Sequence, residues 1–319
     1  MKPIVFIHKM NAENQQQWLD AFTHLLPKEC FVLQEQLSDE DALNIELAIV
    51  ANPDVKILQR FPNLVWVQSL WAGVESLIES FKQFNQQKQI QTKLVRLIDP
   101  QLADTMAEAV LTWTLYLHRN IPEYSAQQRN QIWKEFPCKA AQRMRISILG
   151  AGELGQASMQ RLLQNNYQVN SWSRTHKEFK DVTHYSGDDG LVSLLQNTDI
   201  LICLLPLTKQ THKLLNKQSL SHLPVGAKLI NFARGGIINH EELIVLLDSQ
   251  HISHAVLDVF EQEPLQANSP LWTHPNISVL PHISASTNLQ SASQVVADNI
   301  STYRKDGTIP ESVDLKKGY

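Results

Sequence analysis

From Arg145 onward, short runs of aliphatic and β-branched residues alternate with stretches whose apolar positions recur every three to four residues. The runs predict strands at 145–149, 168–172, 199–204, 228–232, 254–259 and 277–280. Helical spacing falls between them at 154–164, 189–196 and 241–248, the last with Asn239 as its N-cap. Strand alternating with helix is the pattern of a parallel sheet, because each parallel crossover needs a long connection and a helix supplies it.

The first hundred residues repeat this pattern on a smaller scale. Strands are expected at 4–7, 31–33, 48–51 and 64–68, with helices at 15–26 and 54–61. Asp99-Pro100 reads as a break, since proline biases the residue before it away from helix, and Asp104 is the expected cap of an apolar helix running to His118. A last helical pattern, 289–303, lies beyond the final strand and is expected to pack back on the first domain.

Composition narrows the classes. A chain of 319 residues suggests two domains, and 43% hydrophobic with 19% charged residues excludes a disordered chain. The net charge of -4, from 28 basic and 32 acidic residues, gives no broad positive field, so neither nucleic acid nor an anionic membrane is an expected partner. No apolar run approaches the ~18 residues that span a bilayer. The start, 1–7, turns polar at His8 without a small-residue cleavage site, and a cytoplasmic location is expected. Cys30, Cys138 and Cys203 are far apart with no C-x-x-C pair, so they read as ordinary thiols and no metal site is expected.

The first chemical signal is Gly150-Ala151-Gly152-Glu153-Leu154-Gly155, directly after the strand 145–149 and at the start of a helix. In that context G-x-G-x-x-G is a dinucleotide loop. The first glycine makes the tight turn, the second admits the pyrophosphate to the backbone, and the third packs helix against strand. A site for NAD would carry an acid at the end of the next strand to hold the ribose hydroxyls. Here the chain reads Trp172-Ser173-Arg174-Thr175-His176-Lys177, with no carboxylate. Ser173, Arg174 and Thr175 suit a 2′-phosphate, so NADPH is expected over NADH, with NADH still possible.

Three further stretches follow predicted strands: Asn231-Phe232-Ala233-Arg234-Gly235-Gly236, then 257–264 with Asp258 and Glu263, then Leu280-Pro281-His282-Ile283-Ser284. Open parallel sheets place ligands at those strand ends. With the glycine loop, these residues resemble the D-isomer-specific 2-hydroxyacid dehydrogenase family over most of the chain. Within it, 172–175, 204–208 and 313–319 resemble the glyoxylate/hydroxypyruvate reductase A subgroup.

The resemblance implies a Rossmann-type doubly wound cofactor domain, residues 98–285, inserted into a smaller flavodoxin-like α/β substrate domain formed by 1–97 and 286–319. It implies Arg234, Glu263 and His282 as the catalytic triad and Asp258 as holder of the nicotinamide amide. Leu205, Pro206, Phe232 and Ala233 are implied along the cofactor, with Arg234 and His282 reaching both cofactor and substrate. After the strand 64–68, Trp71-Ala72-Gly73 is implied as the loop whose N–H groups hold the substrate carboxylate. The family usually has Asp at the position of Glu75 and often a smaller residue at Trp71, which suggests a narrowed pocket. A homodimer is also implied, and the apolar helix 104–118 has a face that could bury against a second copy.

The chemistry agrees with that assignment. Reducing a 2-oxo acid needs a hydride at the carbonyl carbon, a proton at its oxygen and a cation for the carboxylate. An imidazole such as His282 can donate near neutral pH, Glu263 would stabilise its charged form, and Arg234 offers a planar fork. The expected activity is NADPH-dependent reduction of glyoxylate to glycolate and of hydroxypyruvate to D-glycerate. An NAD-linked dehydrogenase of a larger D-2-hydroxy acid, or a non-catalytic nucleotide-sensing protein, remains the alternative on the same fold.

Overall fold

The computed structural model describes residues 2–86 and 91–319. The chain divides into two compact units, Met1–Gln101 with Thr287–Tyr319, and Leu102–Ser286. The sequence reading places the second unit at 98–285.

The first unit contains β1 (Ile4–His8), α1 (Ala12–Leu25), β2 (Phe31–Leu33), α2 (Asp39–Ala42), β3 (Leu47–Ala51), β4 (Trp66–Ser69), α3 (Glu75–Gln86) and β5 (Lys93–Val95). Among the described residues its strands form one parallel sheet in the order β2-β1-β3-β4-β5. Successive side chains of a strand point to opposite faces, and both faces are apolar here. Val5, Ile7, Ala48 and Val50 meet Leu77, Ile78, Phe81 and Phe84 of α3. Ile4, Phe6, Leu47 and Ile49 meet Trp18 and Phe22 of α1 together with Ala292, Val296 and Ile300 of the helix Leu289–Asp306. That last helix lies beside α1 and stops at Gly307, whose φ of 79° lets its N–H reach the Tyr303 carbonyl at 2.8 Å.

The second unit follows from α4 (Pro100–His118) through α5 (Ile121–Arg129), β6 (Arg145–Leu149), α6 (Glu153–Gln164), β7 (Gln168–Ser173), β8 (Thr183–Ser186), α7 (Gly187–Gln196), β9 (Ile200–Cys203), α8 (Lys217–Leu220), β10 (Ala227–Asn231), α9 (His240–Asp248), β11 (Ile252–Leu257) and β12 (Ile277–Val279). Its described strands are all parallel, in the order β12-β11-β10-β9-β6-β7-β8. Alternation again fills both faces: Ile146, Ile148, Ile200, Ile202, Ile230 and Val256 pack with α4 and α6. Leu149, Leu201, Cys203, Leu229, Ala255 and Leu257 pack with α7, α8 and α9. The chain runs outward from β6 to β8, then returns to the other side of β6 with β9. The order therefore reverses between β6 and β9, the switch point where doubly wound sheets open a crevice for ligands.

Several expectations change. The helix expected to be capped at Asp104 begins at Pro100, and the Asp99 carboxylate accepts the Gln101 N–H at 2.9 Å. Proline is favoured in the first helical turn because its missing N–H would have no partner there. The segment 54–61 is a 3₁₀ stretch, Val55–Arg60, with Asp54 accepting the Lys56 N–H. The elements β5, β8, α2, α3, α5 and α8 are additional to those the sequence reading assigns.

At the β11–β12 edge, His254 is 4% exposed and its Nε2 lies 3.0 Å from the Ser278 hydroxyl. Burial pushes its pKa from 6.5 down to about 4. Because the unfolded chain takes up the proton first as pH falls, stability is complete above the ordinary value and is lost from 6.5 toward 4. The loss reaches roughly 3 kcal/mol at most. Denaturant midpoints across this window should fall less steeply for His254→Gln than for the wild type; equal slopes would show that another group dominates.

Candidate active site

The ends of β6, β7, β9, β10, β11 and β12 carry all the site residues that the sequence reading draws from the second unit. At the far side of the switch point, His282 Nδ1 lies 2.7 Å from Glu263 Oε2. A carboxylate only accepts, so Nδ1 carries the proton and Nε2 is left for a ligand. The second oxygen of Glu263, Oε1, accepts the Phe260 N–H at 2.9 Å, which fixes the carboxylate on its loop. The His282 imidazole is half exposed and so can reach a substrate.

His282 has φ 54°, a left-handed conformation that is strained for a residue with a side chain. Asp258 holds it there. The Asp258 carbonyl accepts the His282 N–H at 2.9 Å, and its two carboxylate oxygens accept the N–H groups of Ile283 at 2.8 Å and Ser284 at 2.9 Å. Asp258 is nearly fully buried. Its visible work is therefore to shape the His282 turn, although a carboxylate has lone pairs to spare for the amide that the resemblance assigns to it.

Arg234 lies just after β10, in an extended conformation, with Nη1 donating to the Ala233 carbonyl at 2.7 Å. Asn231, fully buried, organises this turn: its Oδ1 accepts the Ala233 N–H and its Nδ2 donates to the Arg234 carbonyl, both at 3.1 Å. The sequence reading gives Asn231 no role. A buried amide at a strand end beside a candidate site arginine is the signal that points to one. Gly235 adds a second constraint, because a Cβ there would lie 2.0 Å from the Phe260 carbonyl carbon. Only glycine lets the arginine turn and the Glu263 loop approach this closely.

At the switch point, Gly150 has φ 108° and a Cβ on it would sit 2.7 Å from the Leu204 carbonyl oxygen. Gly155 approaches the Gly150 carbonyl so closely that a Cβ would lie 2.0 Å from it. Gly152 differs: a Cβ there would meet nothing within 4 Å, and it caps α6 without a side chain. Ala151 is buried, Glu153 and Leu154 start the helix, and the first-turn N–H groups face the space that Gly152 leaves open. These residues fit a pyrophosphate.

Beyond β7, Ser173 and Arg174 are half-buried and Thr175 exposed. Arg174 Nη1 lies 3.5 Å from Gln210 Oε1 on the loop after β9, and Lys177 Nζ donates to the Ala151 carbonyl at 2.9 Å. Basic groups thus stand beside the glycine loop where an NAD site would hold a carboxylate. The β9 loop, with Leu205 and Pro206, is held by the Thr211 hydroxyl donating to the Pro206 carbonyl at 2.6 Å. Phe232 and Ala233 are buried at the end of β10. Cys203, fully buried in β9 with its thiol pushed up to about 12 by burial, is inert filler.

In the first unit, the loop after β4 is turned by Ser69, whose hydroxyl accepts the Trp71 N–H at 3.0 Å, while the Trp71 carbonyl accepts from Leu97 at 3.1 Å. The Trp71 indole meets Trp18 edge-on at 6.5 Å, so part of its role is packing. Its buried Nε1 has no hydrogen-bond partner among the described residues. Ala72 and Gly73 are half-buried just ahead of α3.

The model of the D-isomer specific 2-hydroxyacid dehydrogenase NAD-binding domain matches residues 111–284. Among solved structures, a D-isomer specific 2-hydroxyacid dehydrogenase of Xanthobacter autotrophicus Py2 in complex with NADPH and MES is 33% identical, with a TM-score of 0.89 over 100% of this chain and 99% of that one. An NADPH-dependent glyoxylate/hydroxypyruvate reductase of Sinorhizobium meliloti, in complex with NADP and sulfate, is 27% identical with a TM-score of 0.88 over 100% of both chains. A family protein of Klebsiella pneumoniae 342 is 32% identical with a TM-score of 0.85, over 98% of this chain and 97% of that one. The chain therefore belongs to the D-isomer specific 2-hydroxyacid dehydrogenase family and carries that family's NAD-binding domain.

Proposed function

We propose that this protein is an NADPH-dependent reductase of small 2-oxo acids, converting glyoxylate to glycolate and hydroxypyruvate to D-glycerate. The observation that carries the reading is the 2.7 Å His282–Glu263 pair, which leaves Nε2 of the imidazole available beyond the end of the sheet. When bound, NADPH supplies the hydride. Arg234 binds the substrate carboxylate and polarises the carbonyl, and His282 delivers the Nε2 proton to the carbonyl oxygen. Glu263 keeps the imidazole oriented through the Nδ1 contact. Gly152 and the first turn of α6 hold the pyrophosphate, and Ser173, Arg174 and Thr175 read the 2′-phosphate. The Sinorhizobium meliloti reductase, named for NADPH and for these two substrates, supports the choice among family activities.

We assign the substrate role in the first unit to Trp71, Ala72 and Gly73, the latter two through their N–H groups. An indole at Trp71 leaves little room for a long side chain. A panel of 2-oxo acids should then give kcat/KM values highest for glyoxylate and hydroxypyruvate, lower for pyruvate, and far lower for 2-oxoisocaproate and phenylpyruvate. One misfitted methylene discriminates by only about 1–3 kcal/mol, so the fall should be graded for small additions and steep for bulky ones. Trp71→Ala should raise the relative value for the bulky acids and cost glyoxylate some rate through looser positioning. Phenylpyruvate reduced as well as glyoxylate by the wild type would rule out the narrow pocket. A second copy of the chain is the proposed partner, through the face of α4 where Leu115 is exposed.

A further inference from the structure

Next to the turn assigned above to the 2′-phosphate lies a histidine for which the reaction gives no use. His184 projects from β8, the edge strand beside β7, and is half-buried. Both of its ring nitrogens are engaged with β7: Nδ1 lies 2.8 Å from the Ser171 hydroxyl and Nε2 lies 3.1 Å from the Ser173 hydroxyl. The Ser173 hydroxyl in turn donates to the Thr175 carbonyl at 2.8 Å, and His184 Nε2 is 3.5 Å from that same oxygen. The histidine therefore grips the turn at both ends of Arg174.

The protonation state follows from the surroundings. Burial lowers the His184 pKa, and His176 and Lys177 lower it further against the opposing pull of the Thr175 carbonyl, which favours the neutral ring. The rings of His176, at 5.9 Å, and Phe179, at 5.4 Å, close in on it from the same loop. A neutral ring next to a carbonyl oxygen places its proton on Nε2 and accepts from Ser171 at Nδ1. Nε2–H then donates to the Ser173 oxygen, which strengthens that hydroxyl as a donor.

We infer that His184 is a positioning residue for cofactor discrimination: it holds the Ser173–Thr175 turn in place and donates to the Ser173 oxygen, so that Ser173 can turn its single O–H from the Thr175 carbonyl to a 2′-phosphate while the turn that carries Arg174 stays fixed. This rests on the NADPH reading above. It follows that NADPH, and not NADH, is sensitive to His184, because only NADPH carries the phosphate that the turn meets.

The test is a pair of dissociation constants, for NADPH and NADH, measured by nicotinamide fluorescence on the full chain. In His184→Leu, NADPH should weaken by roughly five- to thirtyfold while NADH changes less than about twofold. His184→Gln, whose amide can still donate to Ser173, should recover most of the NADPH affinity. If His184→Leu does not fold, Ser171→Ala removes only the Nδ1 partner and should give a smaller loss of the same NADPH-only kind. Parallel losses for both cofactors, or an unchanged NADPH constant in the folded variants, would overturn the inference. A wild type that binds the two cofactors equally would instead overturn the cofactor reading itself, and the role of His184 with it.

Discussion

Replacing His282 with alanine should lower kcat for reduction of glyoxylate by about 10²–10⁴ while leaving the NADPH dissociation constant close to that of the wild type. General acid catalysis contributes on that scale. The imidazole has its Nδ1 held 2.7 Å from Glu263, which leaves Nε2 as the nitrogen able to donate. The backbone should survive the change: the turn is fixed by Asp258 through N–H groups of residues 282–284, which alanine retains. Far-UV circular dichroism and the NADPH constant check that the fold and cofactor site are intact. A His282→Ala protein with near-normal kcat would move the proton donor to another group or to water.

Arg174→Ala should carry the second large effect, weakening NADPH by roughly ten- to a hundredfold and leaving NADH nearly unchanged. Hydrogen bonds to a charged group are worth about 1.5–3 kcal/mol, which corresponds to that range of affinity. In this structure Arg174 Nη1 lies 3.5 Å from Gln210 Oε1 on the loop after β9. Titration of the wild type and Arg174→Ala with each cofactor separates the outcomes. Equal losses for NADPH and NADH would mean that Arg174 shapes the turn without reading the phosphate.

The parts of the fold legible in the sequence are those where burial on both faces leaves a continuous apolar run. The strands β6, β9, β10 and β11 are of this kind, with Ile146, Ile148, Leu201, Ile202, Leu229 and Val256 all fully buried. The edge strand β8 is different: Thr183–Ser186 is short, polar and only partly covered, so it has neither alternation nor an apolar run to read. β5, at three residues, has too few positions for any period. In contrast, α3 carries Leu77, Ile78, Phe81 and Phe84 at helical spacing, a signal present in the pattern that the sequence analysis does not use.

The site divides in the same way. Its candidate catalytic side chains stand in motifs that can be recognised one stretch at a time. What positions them does not. The contact of Asn231 with the Arg234 turn, the Asp258 grip on 283–284 and the close approach of Gly235 to Phe260 all depend on chain geometry or on residues far apart in sequence. His184 shows the point most sharply, since the loop 176–182 separates the turn it holds from the strand that carries it, and that strand has no sequence signature.

The central claim is that this fold is a working reductase and not a nucleotide-binding module. Its most direct test is the initial rate of NADPH oxidation, followed by absorbance, with wild-type protein and glyoxylate or hydroxypyruvate. The account predicts steady turnover that requires both NADPH and the 2-oxo acid, with glycolate or D-glycerate formed one for one with NADPH consumed. Tight NADPH binding without turnover on any 2-oxo acid of the panel would contradict it.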